Sequence, residues 1–286
     1  MVLENKLNSI STTSVSDRKP GRESMGRRLL CGAVILWFSL LVLLPLSGII
    51  RETIRNGFSI FISSLSSPSA LHAFWLTLLI TAAAVVLNTI LGTVLAIVFA
   101  RQDFKGKLLL ESVVDLPFAV SPVVAGFMFI ILFGPKGWIG SWFDAMNIKI
   151  IYALPGMMLA TLFVTLPFVT REILPVLRSS GKDQEEAAAA LGASKWQIFR
   201  YVTLPAIKWG LAYGVTLTIA RSLGEFGAVL VVSGSIIDKT QTATLRIHDQ
   251  FTDFNYAGAF SAALILALVS FIILTFIQRL YKKKEA

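Results

Sequence analysis

The chain has 286 residues, of which 55% are apolar and only 15% are charged, and its formal net charge is +9. A soluble domain carries about 25% charged residues, so these side chains are too few to cover a water-facing surface. The same composition also excludes a disordered or a collagen-like protein. A disulfide-built protein is excluded because Cys31 is the single cysteine. The sequence therefore predicts an integral membrane protein. The basic residues fall between long apolar runs, which indicates contact with a lipid bilayer and no nucleic-acid partner.

Long runs with little charge predict six membrane-spanning helices, since about 20 apolar residues are needed to cross about 30 Å of hydrocarbon. The fold class is thus all-α. The predicted spans are residues 29–50, 73–100, 112–133, 150–170, 206–232 and 256–278. Together they form a predicted domain at 29–280. It is preceded by a disordered tail at 1–28 and followed by a basic tail at 281–286.

Basic residues indicate how these spans are oriented. With six spans, both termini share one side of the membrane with the second-to-third and fourth-to-fifth loops. That side holds 19 Lys and Arg residues, and the other side holds 6. The positive-inside rule therefore predicts that the N- and C-termini are cytoplasmic.

The third span contains Asp115 together with Pro117 and Pro122. Each proline removes a backbone donor and interrupts a helix, and carbonyls freed in lipid must be satisfied by protein or by cavity water. The pattern leaves two alternatives, an ordinary kink or a broken helix that lines a path. On the second alternative Asp115 is a candidate path residue.

The loop at 171–205 is predicted to hold two short helices. Asp183–Glu186 has the spacing of a capping box, and so has Ser194–Gln197. The alanine run at 187–190 favours a helix, and Gly192 suits the left-handed residue just past a helix end. An alanine-faced helix fits either the close approach of a partner or packing on its own protein.

Seven positions of this loop match a known motif. They are Glu186, Ala187, Ala188, Gly192, Val202, Leu204 and Pro205. Their spacing resembles the EAA motif of permease subunits in ABC importers: Glu-Ala-Ala, three residues, Gly, nine residues, Ile or Val, one residue, Leu-Pro. The resemblance implies that the motif forms a coupling helix that sits in a groove of an ATPase.

A wider resemblance, over about residues 70–280, is to the permease subunits of sulfate/thiosulfate importers. It rests on Asp115–Gly126, Leu132–Trp138, Leu166–Glu172 and Arg221–Gly234. It implies a six-span, MetI-like ABC importer permease in the bacterial inner membrane, which forms half of a path for sulfate or thiosulfate. The implied partners are a second permease subunit of the T type, two ATPase subunits and an external sulfate-binding protein.

The chain has no phosphate-binding loop of the form Gly-x4-Gly-Lys-Ser/Thr. Its Gly-Lys pairs, at 106–107 and 181–182, are followed by Leu and Asp. We therefore expect no catalytic residue, no metal site and no cofactor in this chain, and we expect ATP and magnesium on the partner ATPase.

The predicted fifth span contains Arg221 and Glu225, four residues apart on one helix face. Gly210, Gly214 and Thr218 extend the same stripe of small and polar residues, which indicates a contact with protein or with a water path. The ion pair either braces the helix or supplies positive potential along a path for a divalent oxyanion. Thr218 is a further candidate path residue.

Two other functions stay open at this point. A molybdate or tungstate ABC permease would share the oxyanion chemistry and a similar stretch around Arg221. A secondary anion transporter would use buried acids such as Asp115 and Glu225 for ion coupling. The EAA-like motif favours the ABC reading over the second alternative.

Overall fold

A computed structural model provides the structure of the protein and describes residues 20–55 and 57–282. All regular elements of these residues are helical. The α-helices are α1 Pro20–Arg55, α2 Phe58–Ser66, α3 Pro68–Arg101, α4 Lys107–Ala119, α5 Pro122–Phe133, α6 Gly140–Ala145, α7 Leu154–Ser179, α8 Asp183–Ala190, α9 Lys195–Ile198, α10 Leu204–Leu223, α11 Gly227–Ser233, α12 Ala243–Thr252 and α13 Tyr256–Lys282. A π-helical turn at Phe199–Thr203 joins α9 to α10.

Helix α1 is considered by itself, because the boundary between the two compact units of the chain falls after Gly48. Its stretch from Gly26 to Arg55 is long and apolar enough to cross a membrane. The helix begins at Pro20, where a proline is tolerated because first-turn N–H groups have no helical partner. Residues 20–28 are thus helical where a disordered tail was predicted. Residues 1–19 and 283–286 of the two predicted tails lie outside the described residues.

Five helices of the described chain are long and apolar enough to span a membrane, and a sixth span results if α4 and α5 count as one. These two helices meet at an angle of 116° around Val120 and Ser121. Pro117 lies inside α4, and Pro122 opens α5. A bend of this size exceeds a kink in a continuous helix. Of the two alternatives for the third span, the structure therefore shows the broken helix.

Contacts of the bent pair advance steadily along α7. In chain order they are Glu111–Arg178, Asp115–Arg171, Phe118–Phe168 and Phe129–Phe163. The partners on α7 run from residue 178 back to residue 163, which corresponds to about 22 Å of helix. The contacts cover this distance in spite of the bend. They favour the interpretation that α4 and α5 form one broken span that runs antiparallel to α7.

The fourth span differs from its prediction at both ends. Helix α7 begins at Leu154, not at residue 150, and continues past residue 170 to Ser179. The predicted loop at 171–205 thus begins as helix. Arg171 and Arg178 do not end the helix, because each is paired with a carboxylate of α4.

The fifth span is shorter than the predicted run to residue 232. Helix α10 ends at Leu223 and is followed by Gly224, and the chain resumes as the separate helix α11. Apolar composition continued through this break, so hydropathy alone did not reveal it. Helices α3 and α13 contain the predicted second and sixth spans.

Helices α3, α7 and α10 come close together at Val169, which is fully buried. A Cβ atom built on Gly92 of α3 would lie 2.8 Å from the Cβ atom of Val169. A Cβ atom built on Gly214 of α10 would lie 2.8 Å from the Cα atom of the same valine. Small residues that let helix backbones approach are typical of packing in membranes. Nearby, buried Asn88 donates to Thr165 Oγ1 at 2.7 Å and ties α3 to α7.

Replacing Gly92 with alanine is expected to destabilise the protein, because the added methyl group overlaps Val169. Overpacking of this kind costs about 1–3 kcal/mol. Gly32→Ala is the matched control, because a Cβ atom there meets nothing within 4 Å. The midpoint of thermal unfolding in detergent should fall for Gly92→Ala and hold or rise for Gly32→Ala. Equal midpoints for the two variants would contradict the packing argument.

Candidate functional site

The loop after α7 folds into a short helix, a glycine turn and a second short helix, as predicted. Gly192 has a φ of +85°, and a Cβ atom there would meet nothing within 4 Å. The left-handed backbone, and not a lack of space, therefore requires glycine. The predicted capping box at Ser194–Gln197 is confirmed, because each residue accepts a hydrogen bond from the other's backbone amide.

The predicted capping box at Asp183–Glu186 is wrong. Lys182 is the residue that precedes α8, and no side chain caps the helix there. The helix begins one residue earlier than the spacing assumed, and the Glu186 amide donates to the Lys182 carbonyl. Asp183 and Glu186 still place negative charge in the first turn, where the helix dipole favours it.

The motif residues divide into an exposed set and a half-buried set. Those that are exposed are Glu186, Ala187, Gly192 and Pro205, and those that are half-buried are Ala188, Val202 and Leu204. Ala188, Gly192 and Val202 line one shallow cleft of about 370 Å³ beside the glycine turn. The fold thus brings these parts of the motif together, although nine residues lie between Gly192 and Val202.

Three large side chains of this loop are exposed, and two of them, Leu191 and Tyr201, line the cleft. Leu191 is 91% exposed, Trp196 is 69% exposed and Tyr201 is 74% exposed. Because these side chains lie in a loop outside the apolar spans, they form a candidate interaction surface. These three residues are not positions of the motif, so the sequence analysis did not select them. The sequence feature that could have identified them is the presence of three bulky side chains in a short loop between two spans.

Glu185 attaches α8 to the rest of the bundle. Its carboxylate accepts two hydrogen bonds from Arg101, from Nε at 2.9 Å and from Nη2 at 3.0 Å. It also accepts one from Thr203 Oγ1 at 2.8 Å. Sequence reasoning did not select Glu185, Arg101 or Thr203. No spacing rule connects Arg101 to a carboxylate 84 residues away.

Asp115 forms an ion pair with Arg171, in which Arg171 Nε lies 2.7 Å from Asp115 Oδ1. The pair borders a cleft of about 350 Å³ between α4 and α7, which Thr170 also lines. Both side chains are partly exposed.

Arg221 and Glu225 form the predicted ion pair, with Arg221 Nη1 2.7 Å from Glu225 Oε2, although α10 ends between them. The Glu225 side chain is 2% exposed, whereas that of Arg221 is 31% exposed. Glu225 Oε1 also accepts from the Ala228 amide at 2.9 Å, in the first turn of α11. The carboxylate therefore connects α10 to α11 across the break.

The small-residue stripe of α10 faces protein. Gly210 and Gly214 pack on the backbone of α7, against the Glu172 carbonyl and the Val169 Cα. Thr218 is fully buried, and its hydroxyl donates to the Gly214 carbonyl. Thr218 is thus not at a surface of this chain.

The predicted path residues are not all brought together. Asp115 pairs with Arg171 of α7. The next residue of α7, Glu172, packs against Gly210 of α10. Arg221 follows Gly210 by eleven residues, or about 16 Å of helix. Among the described residues, no three His, Cys, Asp or Glu side chains are placed to hold a metal ion.

Comparison with known proteins identifies the family. Residues 88–285 match the family model of the binding-protein-dependent transport system inner membrane component. The chain belongs to this family.

Similar proteins share nearly the full length of this inner-membrane component. The sulfate transport system permease protein CysW of Synechocystis sp. is 48% identical over 246 residues, which cover 86% of this chain and 89% of that protein. The sulfate transport system permease protein CysT of Escherichia coli is 35% identical over 258 residues, which cover 90% of this chain and 93% of that protein.

The fold also resembles a solved structure. In the crystal structure of a bacterial alginate ABC transporter in complex with an alginate pentasaccharide-bound periplasmic protein, one chain matches with a TM-score of 0.77 at 19% identity. The match covers 91% of this chain and 96% of that one. The predicted all-α, MetI-like permease fold is confirmed by the family match and by this likeness.

Replacing Arg221 with methionine is expected to destabilise this inner-membrane component strongly, because buried Glu225 loses its counter-charge. Breaking one partner of a buried pair costs about 3–5 kcal/mol. The double variant Arg221→Met with Glu225→Gln should recover much of this loss, since the amide can still accept from Ala228. The midpoint of thermal unfolding is the measurement.

Arg178→Met is the control, because the Arg178–Glu111 pair is more exposed and such pairs contribute about 0–1 kcal/mol. An Arg221→Met midpoint no lower than that of Arg178→Met would contradict the importance of the buried pair.

Proposed function

We propose that this chain is the CysW-type permease subunit of an ATP-driven importer for sulfate or thiosulfate. The observation that carries the proposal is the 48% identity to a CysW protein along 86% of the chain. The identity to a CysT protein is lower, at 35%, which supports the W type over the T type. The EAA-like loop is the element that such a subunit needs to engage an ATPase.

The proposed orientation places both termini in the cytoplasm of a bacterial cell, with the chain in the inner membrane. The uneven distribution of basic residues supports it. A second support is the hydrogen bond from Lys182 of the EAA-like loop to the Arg101 carbonyl at the end of α3, because the basic second-to-third loop then shares one side with this loop.

The proposed assembly contains a second permease subunit of the T type, two ATPase subunits and an external sulfate-binding protein. The family description names dependence on a binding protein, and the likeness to CysT fits a related second permease. Because the chain has no phosphate-binding loop, ATP and magnesium are assigned to the ATPase, and this chain itself is proposed to be no enzyme.

The ATPase contact is proposed at the outer face of α8 and at the exposed residues that follow it. Ala187 lies on the side of the helix opposite half-buried Glu185, so it faces away from this chain. Small side chains there allow a partner to enclose the helix, and Leu191 supplies the apolar anchor. The proposed surface extends from Glu186 to Gly192.

The translocation path is proposed to pass Arg221. Its side chain is partly open, and a guanidinium in a low-dielectric surrounding attracts a divalent oxyanion. Glu225 weakens that attraction, which conduction requires, since an ion must also leave. Asp115 with Arg171 is proposed to border the same path nearer the ATPase, and Thr218 supports the helix between them.

Sulfate uptake by the complete importer tests the proposal directly. Cells that lack their own sulfate importers and express this chain with its neighbouring transport genes should accumulate labelled sulfate. Excess thiosulfate should reduce this uptake, and excess molybdate should not. Uptake should stop on ATP depletion and persist in the presence of an uncoupler. Molybdate-sensitive uptake would favour the molybdate alternative, and loss of uptake with the uncoupler alone would favour a secondary transporter.

The double variant of Arg221 and Glu225 in the same assay distinguishes a path from a brace. If the pair only braces α10 and α11, the assembled complex should transport nearly normally. If it lines the path, the complex should assemble and hydrolyse ATP while uptake collapses.

Replacing Ala187 with glutamate is expected to weaken ATPase binding, because it would bury an unpaired charge in the contact, at a cost of about 3–5 kcal/mol. The measurement is co-purification of the ATPase with the tagged permease. Ser179→Glu is the control, since Ser179 is also exposed at this end of the bundle but precedes α8. If the Ala187→Glu permease co-purified as much ATPase as the wild-type permease does, the proposed docking surface would be wrong.

A further inference from the structure

We infer that Arg101 and Glu185, with Thr203, form a clamp that transmits movement from α8 to the membrane helices. The inference rests on the proposed function, in which α8 is the helix that the ATPase moves. It assigns these three as positioning residues, which act through α8 and touch neither ATP nor the transported anion.

The first argument is that α8 has almost no apolar attachment of its own. None of its residues is buried, and only Glu185 and Ala188 are half-buried. An alanine methyl group adds little contact area. A force applied to the outer face of α8 must therefore pass to the bundle mainly through polar contacts, unless the loop at each end carries it alone.

The second argument is the geometry of the Arg101–Glu185 pair. Two parallel N–H donors of one guanidinium meet the two carboxylate oxygens, at 2.9 and 3.0 Å. Bidentate pairs of this kind fix the relative orientation of their carriers as well as their distance. Both side chains are largely covered, at 15% and 21% exposure, so water screens the pair less than it screens a surface pair.

The third argument is that the clamp joins α8 to three membrane helices at once. Arg101 is the last residue of α3, and its Nη1 donates to the Leu177 carbonyl near the end of α7 at 3.0 Å. Thr203 closes the π-helical turn that leads into α10 and donates to Glu185 at 2.8 Å. Lys182 adds a bond to the Arg101 carbonyl at 3.0 Å. These three helices are those that pack closely around Val169.

Thr203 lies in the π-helical turn that joins the loop to α10. Such a turn holds an extra residue compared with an α-helical turn and is frequent at functional sites. Within this turn Val202 lines the cleft beside Gly192, and the next residue, Thr203, donates to Glu185 of the clamp. One short segment thus serves both the docking surface and the clamp.

The test is the number of ATP molecules hydrolysed per sulfate ion imported, measured with the complete importer in proteoliposomes. Arg101→Met and Glu185→Gln should each raise this number about tenfold, the effect of losing a charged hydrogen bond. ATPase co-purification and basal hydrolysis should stay near the wild-type values. Thr203→Val, which removes one neutral bond from a residue of the same shape, should raise the number by a smaller factor.

The double variant supplies a readout that a general loss of structure would not reproduce. If the two residues act as one pair, Arg101→Met with Glu185→Gln should be no worse than either single change. Lys107→Met is the matched control. Lys107 pairs with Asp103 at 2.9 Å at the same end of the bundle and does not bond to α8. This control should leave the number unchanged.

The clamp would be overturned if both single variants kept the wild-type number of ATP molecules per sulfate, or if the double variant were clearly worse than either single. Loss of ATPase co-purification in Arg101→Met and Glu185→Gln would also overturn it, since the pair would then hold the docking surface and not transmit movement. A wild-type importer without sulfate-dependent ATP hydrolysis would instead refute the proposed function, and the clamp with it.

Discussion

The contact of three helix backbones at Val169 is the constraint on which the arrangement of the other elements depends. Gly92 and Gly214 leave no room for a side chain on either side of that valine, so α3, α7 and α10 are held at a fixed distance and register. Within a membrane the hydrophobic effect gives helices little reason to associate, and close packing has to supply the energy. The register set at Val169 brings the ends of these helices together about two to three turns away, where Arg101, Leu177 and Thr203 surround Glu185.

Two ion pairs join α7 to α4. Arg171 and Arg178 lie on an apolar helix, and each is balanced by a carboxylate on the bent pair of helices. The bent pair of α4 and α5 therefore contacts α7 from Arg178 to Phe163 in spite of the 116° bend. Matching charges on α7 hold the α4 half of the pair in place.

The sequence predicted most features that depend on local rules, although the Asp183–Glu186 capping box was wrong, and it missed those that depend on distant partners. Runs without charge located the spans, because lipid excludes charge, and left-handed Gly192 and the Ser194–Gln197 box followed from helix-end chemistry. The extension of α7 past residue 170 was not predictable, since the acids that pair with Arg171 and Arg178 lie 56 and 67 residues away. Glu185 was passed over for the adjacent motif residue Glu186 for the same reason. Its arginine lies on another helix.

The number of residues in the π-helical turn at Phe199–Thr203 determines the direction in which the preceding loop faces. A π turn is equivalent to an α-helix with one residue inserted. Without that residue, everything before it would rotate by about 100° around the axis of α10. Trp196 and the Ser194–Gln197 cap would then face a different direction, even if every side chain were unchanged. One extra residue in this turn therefore sets the direction in which the whole loop faces, while the packing of the membrane helices around Val169 does not depend on it.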